Sequence, residues 1–508
     1  MKNLSNKFIV SFLYLSIVWV NLYKFVLIRQ GFLTEPDERR YLMTWIFLKH
    51  LLQGDWQGAI HAIFSAQGRP ASILLHTIPA SLQFISAKIR HLELFETQNF
   101  DVVFVYNLTI NFITLYVLYR LFQLIFNNKI LSLTGTLFYS VLVNNFSYLR
   151  HIYPYDESLL LFIYLVYRLV NAYLNKPVFD VKFSFWTGSL AFLGFLIYPA
   201  YYLSFMAVYI LFNILIWYKK ISLKSWLTLN SVYIAGSVSI LLIFEILSRF
   251  GQASYLYNIR HLSGTVNQGD YKEAYSFIIK YFWQVEQFTG LLLLAGITIF
   301  SIVYFKIKTA SKKITGTIVL SFLIPYLIFT TSAYFLHNLV MMGRILHQFV
   351  FVIVLMNVFV LQMLNAKFQK YIVLTLVFLL SIQFYSQIQT YLIISYPRDV
   401  YWQYLKTYPL SHINQISEYD NSWSNLPQKM DGIYIKPNQQ DSITIVNGQY
   451  FFPVDTADKY HPYRPKNNKK LIFNHLHFVN YKAYQFEAYK IKERTLIDSL
   501  QLRIKVYQ

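Results

Sequence analysis

The sequence predicts an all-α polytopic membrane protein of about eleven transmembrane helices, with juxtamembrane helices in its first outer loop and a small C-terminal mixed α/β domain. Three observations predict it. Hydrophobic residues make up 56% of the chain and charged residues only 14%, a balance that suits a chain solvated largely by lipid. Eleven apolar runs approach or exceed the length that spans about 30 Å of hydrocarbon at about 1.5 Å of rise per residue. Lysine and arginine gather in alternate loops between those runs, as they do on the cytoplasmic side of membrane proteins.

Residues 8–28 form the first run. It follows Lys2 and Lys7, exceeds a usual signal-peptide core and lacks a small-residue cleavage site before Gln30, so it is read as a retained anchor. A long loop follows, with two short amphipathic pieces at 41–52 and 56–66. The stretch 71–89 is apolar but carries Ser72, His76, Pro79, Ser81 and Gln83, which marks a juxtamembrane or partly inserted helix. Spans two to seven are expected at 102–126, 130–148, 157–174, 183–198, 200–217 and 226–247. A polar loop from 248 to 287 precedes the last four, at 288–305, 314–333, 339–364 and 371–394.

Charge distribution orients this arrangement. With the N-terminus in the cytoplasm, the inner side carries Arg120, Lys129, Arg168, Lys176, Lys182, Lys219, Lys220, Lys224, Lys306, Lys308, Lys312, Lys313, Lys367 and Lys370 against the single acid Asp180. The outer side takes Asp37, Glu38, Asp55, Glu93, Glu96, Asp101, Asp156, Glu157, Asp270, Glu273 and Glu286. Counting 71–89 as a span would reverse everything after it and move Lys219, Lys220, Lys312 and Lys313 outside. The formal charge of +21 then reflects inner loops facing anionic lipid rather than a nucleic-acid partner. There is no cysteine, which excludes a disulfide framework and a thiolate metal site.

The chain divides into a membrane domain, 1–394, and a C-terminal domain, 395–508, where hydrophobic runs shorten and Asn, Gln, Lys and Tyr rise. Residues 442–452 read as a hairpin turning at Asn447-Gly448, a pair suited to a type I′ turn. Segments 432–436, 484–489 and 501–507 alternate as strands. The eleventh span runs outward, so this domain is expected outside the membrane. It carries no catalytic signature, and its expected role is to stabilise the chain or recognise an acceptor.

The polar residues of interest collect on the outer side. Asp37-Glu38-Arg39-Arg40-Tyr41 follows the first span, then come Gly54-Asp55-Trp56 and Arg69-Pro70. Pro154-Tyr155-Asp156-Glu157-Ser158-Leu159 heads the fourth span, Gly194-Phe195-Leu196-Ile197-Tyr198-Pro199 ends the fifth, and Gly343-Arg344-Ile345-Leu346-His347 opens the tenth. Each piece has a plain alternative. Interfacial Tyr and Arg are common anchors, Pro154 and Pro199 mark turns, and His347 reads as a hydrogen-bonded structural residue. In this order, the pieces resemble the GT-C class of integral-membrane glycosyltransferases, and within it the protein O-mannosyltransferase and lipid A aminoarabinose transferase branch. The resemblance covers roughly residues 8–364. Two departures stand out: Gln67-Gly68 precede Arg69 where some relatives carry an acid or histidine used for a metal, and Tyr198 stands where a lysine is usual.

The resemblance implies transfer of a sugar from a polyprenyl-phosphate-linked donor to an acceptor hydroxyl, with inversion, at the outer face of a bacterial cytoplasmic membrane. Asp37 is expected as general base. Glu38 or the pair Asp156 and Glu157 is expected to orient the acceptor or tune Asp37. Arg344, with Arg69, Tyr198 and His347, would hold the departing phosphate. The partners are the lipid-linked donor, membrane lipid and a glycan, lipid or protein acceptor. No cofactor is read with certainty; a divalent metal ion stays open. A transporter or flippase, and a polysaccharide ligase or polymerase acting on lipid-linked glycans, are the alternative classes.

Overall fold

Apolar helices carry the chain as far as Tyr391, and strands follow. The computed structural model describes residues 6–28, 39–64, 69–149, 151–266, 275–306, 310–336, 343–392, 404, 415–418, 429–430, 433–437, 443–447, 470–480 and 499–507. The helices are α1 (Asn6–Ile28), α2 (Arg39–Leu52), α3 (Trp56–Phe64), α4 (Pro70–Leu75), α5 (Thr77–Arg90), α6 (Asp101–Phe126), α7 (Lys129–Val141), α8 (Val143–Phe146), α9 (Tyr155–Asn175) and α10 (Val181–Ile197). They continue with α11 (Tyr202–Tyr218), α12 (Leu223–Phe250), α13 (Tyr255–Val266), α14 (Phe277–Tyr281), α15 (Gln287–Val303), α16 (Ala310–Leu336), α17 (Gly343–His347), α18 (Val350–Gln362) and α19 (Ala366–Tyr391). Among the described residues eight helical stretches are long and apolar enough to cross a membrane, and the chain is a multi-pass membrane protein.

Those eight match expected spans one, two, four, six to nine and eleven. The other three are shorter or broken. The fifth is α10, of 17 residues. The third divides into α7 and α8 at Leu142, whose φ of −69° and ψ of 138° are extended. The tenth divides into α17 and α18. The 13-residue helices α7 and α18 are buried almost all round, which explains their uniformly apolar sequence. They meet at Gly135, where an added Cβ would stand 2.7 Å from Val358 Cγ2. The stretch read as juxtamembrane is two short helices, α4 and α5, which divide at His76.

Side chains that accept from orphan N–H groups fix several helix starts. Asn128 accepts from Ile130 and Leu131, Asp180 from Phe183, Ser222 from Ser225 and Asn365 from Lys367. All four caps lie in the basic loops. Helices α10 and α12 touch backbone to backbone: a Cβ on Gly188 would lie 2.0 Å from the Tyr233 carbonyl oxygen, and one on Gly236 2.2 Å from that of Phe185. Ser189 Oγ donates to the Gly236 carbonyl and Ser237 Oγ to that of Gly188, each at 3.0 Å. Small residues that admit such close approach are the usual cement between membrane helices.

Beyond the helices, β1 (Gln415–Glu418), β2 (Lys429–Met430), β3 (Ile433–Pro437), β4 (Ile443–Asn447), β5 (Leu471–Asn480) and β6 (Ser499–Tyr507) form one sheet in the order β2-β3-β1-β4-β6-β5. Strand β1 runs parallel to β3 and β4, and the other pairs are antiparallel. The strands expected at 432–436 and 501–507 are β3 and β6. Of the hairpin expected over 442–452, the first strand is β4, which pairs with β1 and β6, and the turn at Gly448 and the second strand lie outside the described residues. The strand expected at 484–489 lies outside the described residues.

Candidate functional site

Four segments far apart in sequence meet at one end of the bundle: the start of α4, the start of α9, the turn from α10 into α11, and α17. Pro154 stands at the N-cap of α9, and Asp156 and Glu157 fall in its first turn. Consecutive helical residues point about 100° apart, so the two acids face different neighbours. Glu157 Oε1 lies 3.3 Å from His76 Nε2 at the α4–α5 break, and its side chain is 4% exposed. Asp156 Oδ1 lies 3.5 Å from His347 Nε2, and its side chain is 15% exposed. Of this pair, only Asp156 is reachable.

His347 is fully buried. Its Nδ1 is hydrogen-bonded to the Tyr201 hydroxyl, and its ring centroid lies 5.1 Å from that of Tyr148. The next residue fixes α17 against α11: Gln348 Oε1 accepts from Ser204 N at 3.1 Å and Nε2 donates to the Ala200 carbonyl at 3.2 Å. Ser158 Oγ ties α9 to α10 by donating to the Gly194 carbonyl at 2.8 Å.

Both arginines predicted to bind phosphate reach one tyrosine cluster. Arg344 Nη1 donates to the Tyr155 hydroxyl at 2.7 Å and to that of Tyr198 at 3.1 Å. The Arg69 guanidinium carbon lies 4.7 Å from the Tyr198 ring centroid. The Tyr155 ring centroid lies 4.4 Å from that of Tyr198, tilted against it, and 4.6 Å from that of Tyr153, stacked on it, and Tyr198 meets Tyr201 edge-on at 4.9 Å. A guanidinium laid against tyrosine faces is partly dehydrated and held flat, which strengthens its pairing with a planar or tetrahedral oxyanion. Arg344, Arg69 and Tyr198 thus form one cationic–aromatic cluster, and His347 and Asp156 lie beside it. Chemically, this arrangement can hold an anion next to a reachable carboxylate.

Asp37 and Glu38 lie outside the described residues, as do Gln67, Gly68 and Arg150. Tyr41, which follows the acidic pair, is buried and donates to Gln83 Oε1, and burial raises the pKa of its hydroxyl. The Gly54-Asp55-Trp56 motif is a helix start. Gly54 takes φ +73°, and Asp55 accepts from the Gly58 N–H at 2.8 Å as the cap of α3. That bond, followed by His50, holds the Asp55 carboxyl below the usual range. Among the described residues no three His, Asp or Glu side chains stand close enough to share a metal ion.

No protein-family model and no curated protein sequence matches the chain. Among solved structures it is similar to the Archaeoglobus fulgidus oligosaccharyltransferase, crystallised with zinc and sulfate, at 11% identity and a TM-score of 0.45 over 83% of this chain. The chain spans 62% of that protein's length. It is also similar to ArnT from Cupriavidus metallidurans bound to undecaprenyl phosphate, at 9% identity and a TM-score of 0.41, over 98% of each chain. At these identities no residue role passes from either protein to this chain.

Sequence reading missed Tyr155, Tyr201 and His76, whose partners come from other helices. It passed over Lys24, buried within the first candidate span, and it placed Glu286 in the outer loop, whereas that residue is fully buried within the candidate span Phe277–Lys306. A charge inside an apolar run is the signal that finds such residues.

Proposed function

We propose that the chain is a glycosyltransferase of the outer face of a bacterial cytoplasmic membrane, transferring a sugar from a polyprenyl-phosphate-linked donor to an acceptor hydroxyl with inversion. The observation that carries this reading is the meeting of Arg69 and Arg344 on Tyr198, beside the reachable carboxylate of Asp156. Two guanidinium groups from segments 275 residues apart suit a phosphate that gains charge as its sugar departs. Asp37, placed by its motif, is the general base that takes the acceptor proton. Asp156 orients the acceptor, with His347 behind it. Glu157 is committed to His76 and holds the α4–α5 break against α9. The donor's tail lies in a cleft of about 390 Å³ between α15, α16 and α18, lined by Phe300, Tyr326, Phe349, Val352 and Met356. Phe349 places that cleft two residues beyond His347. The C-terminal domain lies outside and stabilises the chain or recognises the acceptor.

Native mass spectrometry of the purified protein with added polyprenyl phosphate tests the anion site. The wild type should retain the lipid, and the Arg69→Ala, Arg344→Ala double variant should release it. Equal retention by both would contradict the assignment.

A further inference from the structure

Breaking a helix inside a membrane protein exposes backbone groups that no water satisfies. At Leu142, between α7 and α8, each side of the break has a charged partner from elsewhere in the chain. Lys24 Nζ, from α1, donates to the Ser140 carbonyl at 2.5 Å and to Asn145 Oδ1 at 2.9 Å. The Glu286 carboxylate, just before α15, accepts from Val143 N at 3.0 Å and Asn144 N at 2.8 Å. Lys24 thus meets a carbonyl at the end of one helix and Glu286 meets N–H groups at the start of the next, as the peptide dipoles favour. Around Lys24 the amides continue: Asn111 Nδ2 donates to Asn21 Oδ1 at 2.8 Å and Asn145 Nδ2 to Asn111 Oδ1 at 3.0 Å. Lys24, Glu286 and these amides are all buried. Burying two charged side chains is costly, and one continuous helix would need neither. The break therefore has a use beyond packing.

What α8 carries indicates that use. Asn144 Nδ2 donates to the Gly343 carbonyl at 3.0 Å and to the Tyr281 hydroxyl at 2.9 Å. Gly343 is the residue before Arg344. Glu286 fixes the backbone N–H of the same Asn144 whose amide holds the Arg344 backbone. The geometry points to Asn144, anchored by Glu286, as a positioning residue for Arg344: it sets the height at which the guanidinium meets Tyr155 and Tyr198. The kinetic arm of the test rests on the glycosyltransferase reading; the placement itself does not.

The chain has no cysteine, so Arg344→Cys supplies a single thiol at the position in question. Its labelling by a small thiol reagent should quicken by about tenfold when Asn144→Ala is added, because the segment loses its hold. Tyr281→Phe, which removes the other acceptor of the same amide, should leave the labelling rate unchanged. Where Asn144→Ala does not fold, Asn144→Ser and Glu286→Gln replace it and should quicken labelling in the same direction. In turnover, Asn144→Ala should lower kcat by about tenfold at near-constant KM with Arg344 present, and by less than about twofold in an Arg344→Ala background. Equal losses in both backgrounds, or an unchanged labelling rate, would overturn the positioning role. If the wild type transfers no sugar from any polyprenyl phosphate, the glycosyltransferase reading fails while the labelling rates still decide the placement.

Discussion

Arg344 separates a phosphate ligand from a membrane anchor more sharply than any other residue. An anchor that only reaches the headgroups is replaceable by lysine. A guanidinium that donates to two tyrosine hydroxyls while pairing with phosphate uses its planar fork, which lysine lacks. Arg344→Ala should cost about 1.5–3 kcal/mol of transition-state stabilisation, seen in kcat more than in donor affinity. Wild-type rates in both Arg344→Lys and Arg344→Ala would return the residue to an anchor. The acids divide by role. Asp37→Asn should keep fold and donor binding but lower turnover on the order of 10²–10⁴-fold; Asp156→Asn should act mainly on the acceptor KM. Near-normal turnover in Asp37→Asn, with the large loss in Asp156→Asn, would exchange the two roles. Arg344, Tyr198 and Asp156 were legible because each sits in a short motif with a plain chemical use. Tyr201 and His76 were not, since one tyrosine or histidine in an apolar run looks like any other until its partner 146 or 81 residues away comes beside it.

The element that most constrains the site is α10, because Tyr198 follows directly after it. Its placement depends on Gly188 and Gly236, where the backbones of α10 and α12 touch. A methyl group at Gly188 would overlap the Tyr233 carbonyl oxygen, so Gly188→Ala should force the helices apart at a cost of about 1–3 kcal/mol. Thermal unfolding in detergent measures it; a melting temperature equal to wild type would show that the helices are not so closely packed. Helix identity was legible here, and helix continuity was not. Residues 130–148 and 339–364 each read as one span, since apolar composition runs through the break. What ends α7 at Val141 is a lysine 116 residues before Ser140 and a glutamate 142 residues after Asn144. No local window contains either.

For the whole molecule, the basic loops predict sidedness. Asp37 and the C-terminus should share the outer face, with Lys312 opposite. Reporter fusions after Lys312 and after Gln508 should report opposite sides; the same side for both would sink the eleven-span arrangement and the outer-face site built on it. A transporter would also bury charges within its helices. Here Lys24 and Glu286 cap a helix break, and Glu286 holds the Asn144 that binds the Gly343 carbonyl, which fits a static site better than a path for a moving solute. The central claim is sugar transfer from a lipid phosphate, and one measurement tests it most directly. Purified protein in liposomes is given isotopically labelled polyprenyl-phosphate sugars together with envelope lipids, glycans or proteins as acceptors, and both products are followed by mass. The account predicts release of free polyprenyl phosphate in step with a labelled acceptor whose anomeric configuration is inverted, and a fall of about ten- to a hundredfold in the rate of both in Arg344→Ala. Sugar–phosphate donors that stay intact with every acceptor, or that merely change leaflet, would contradict it.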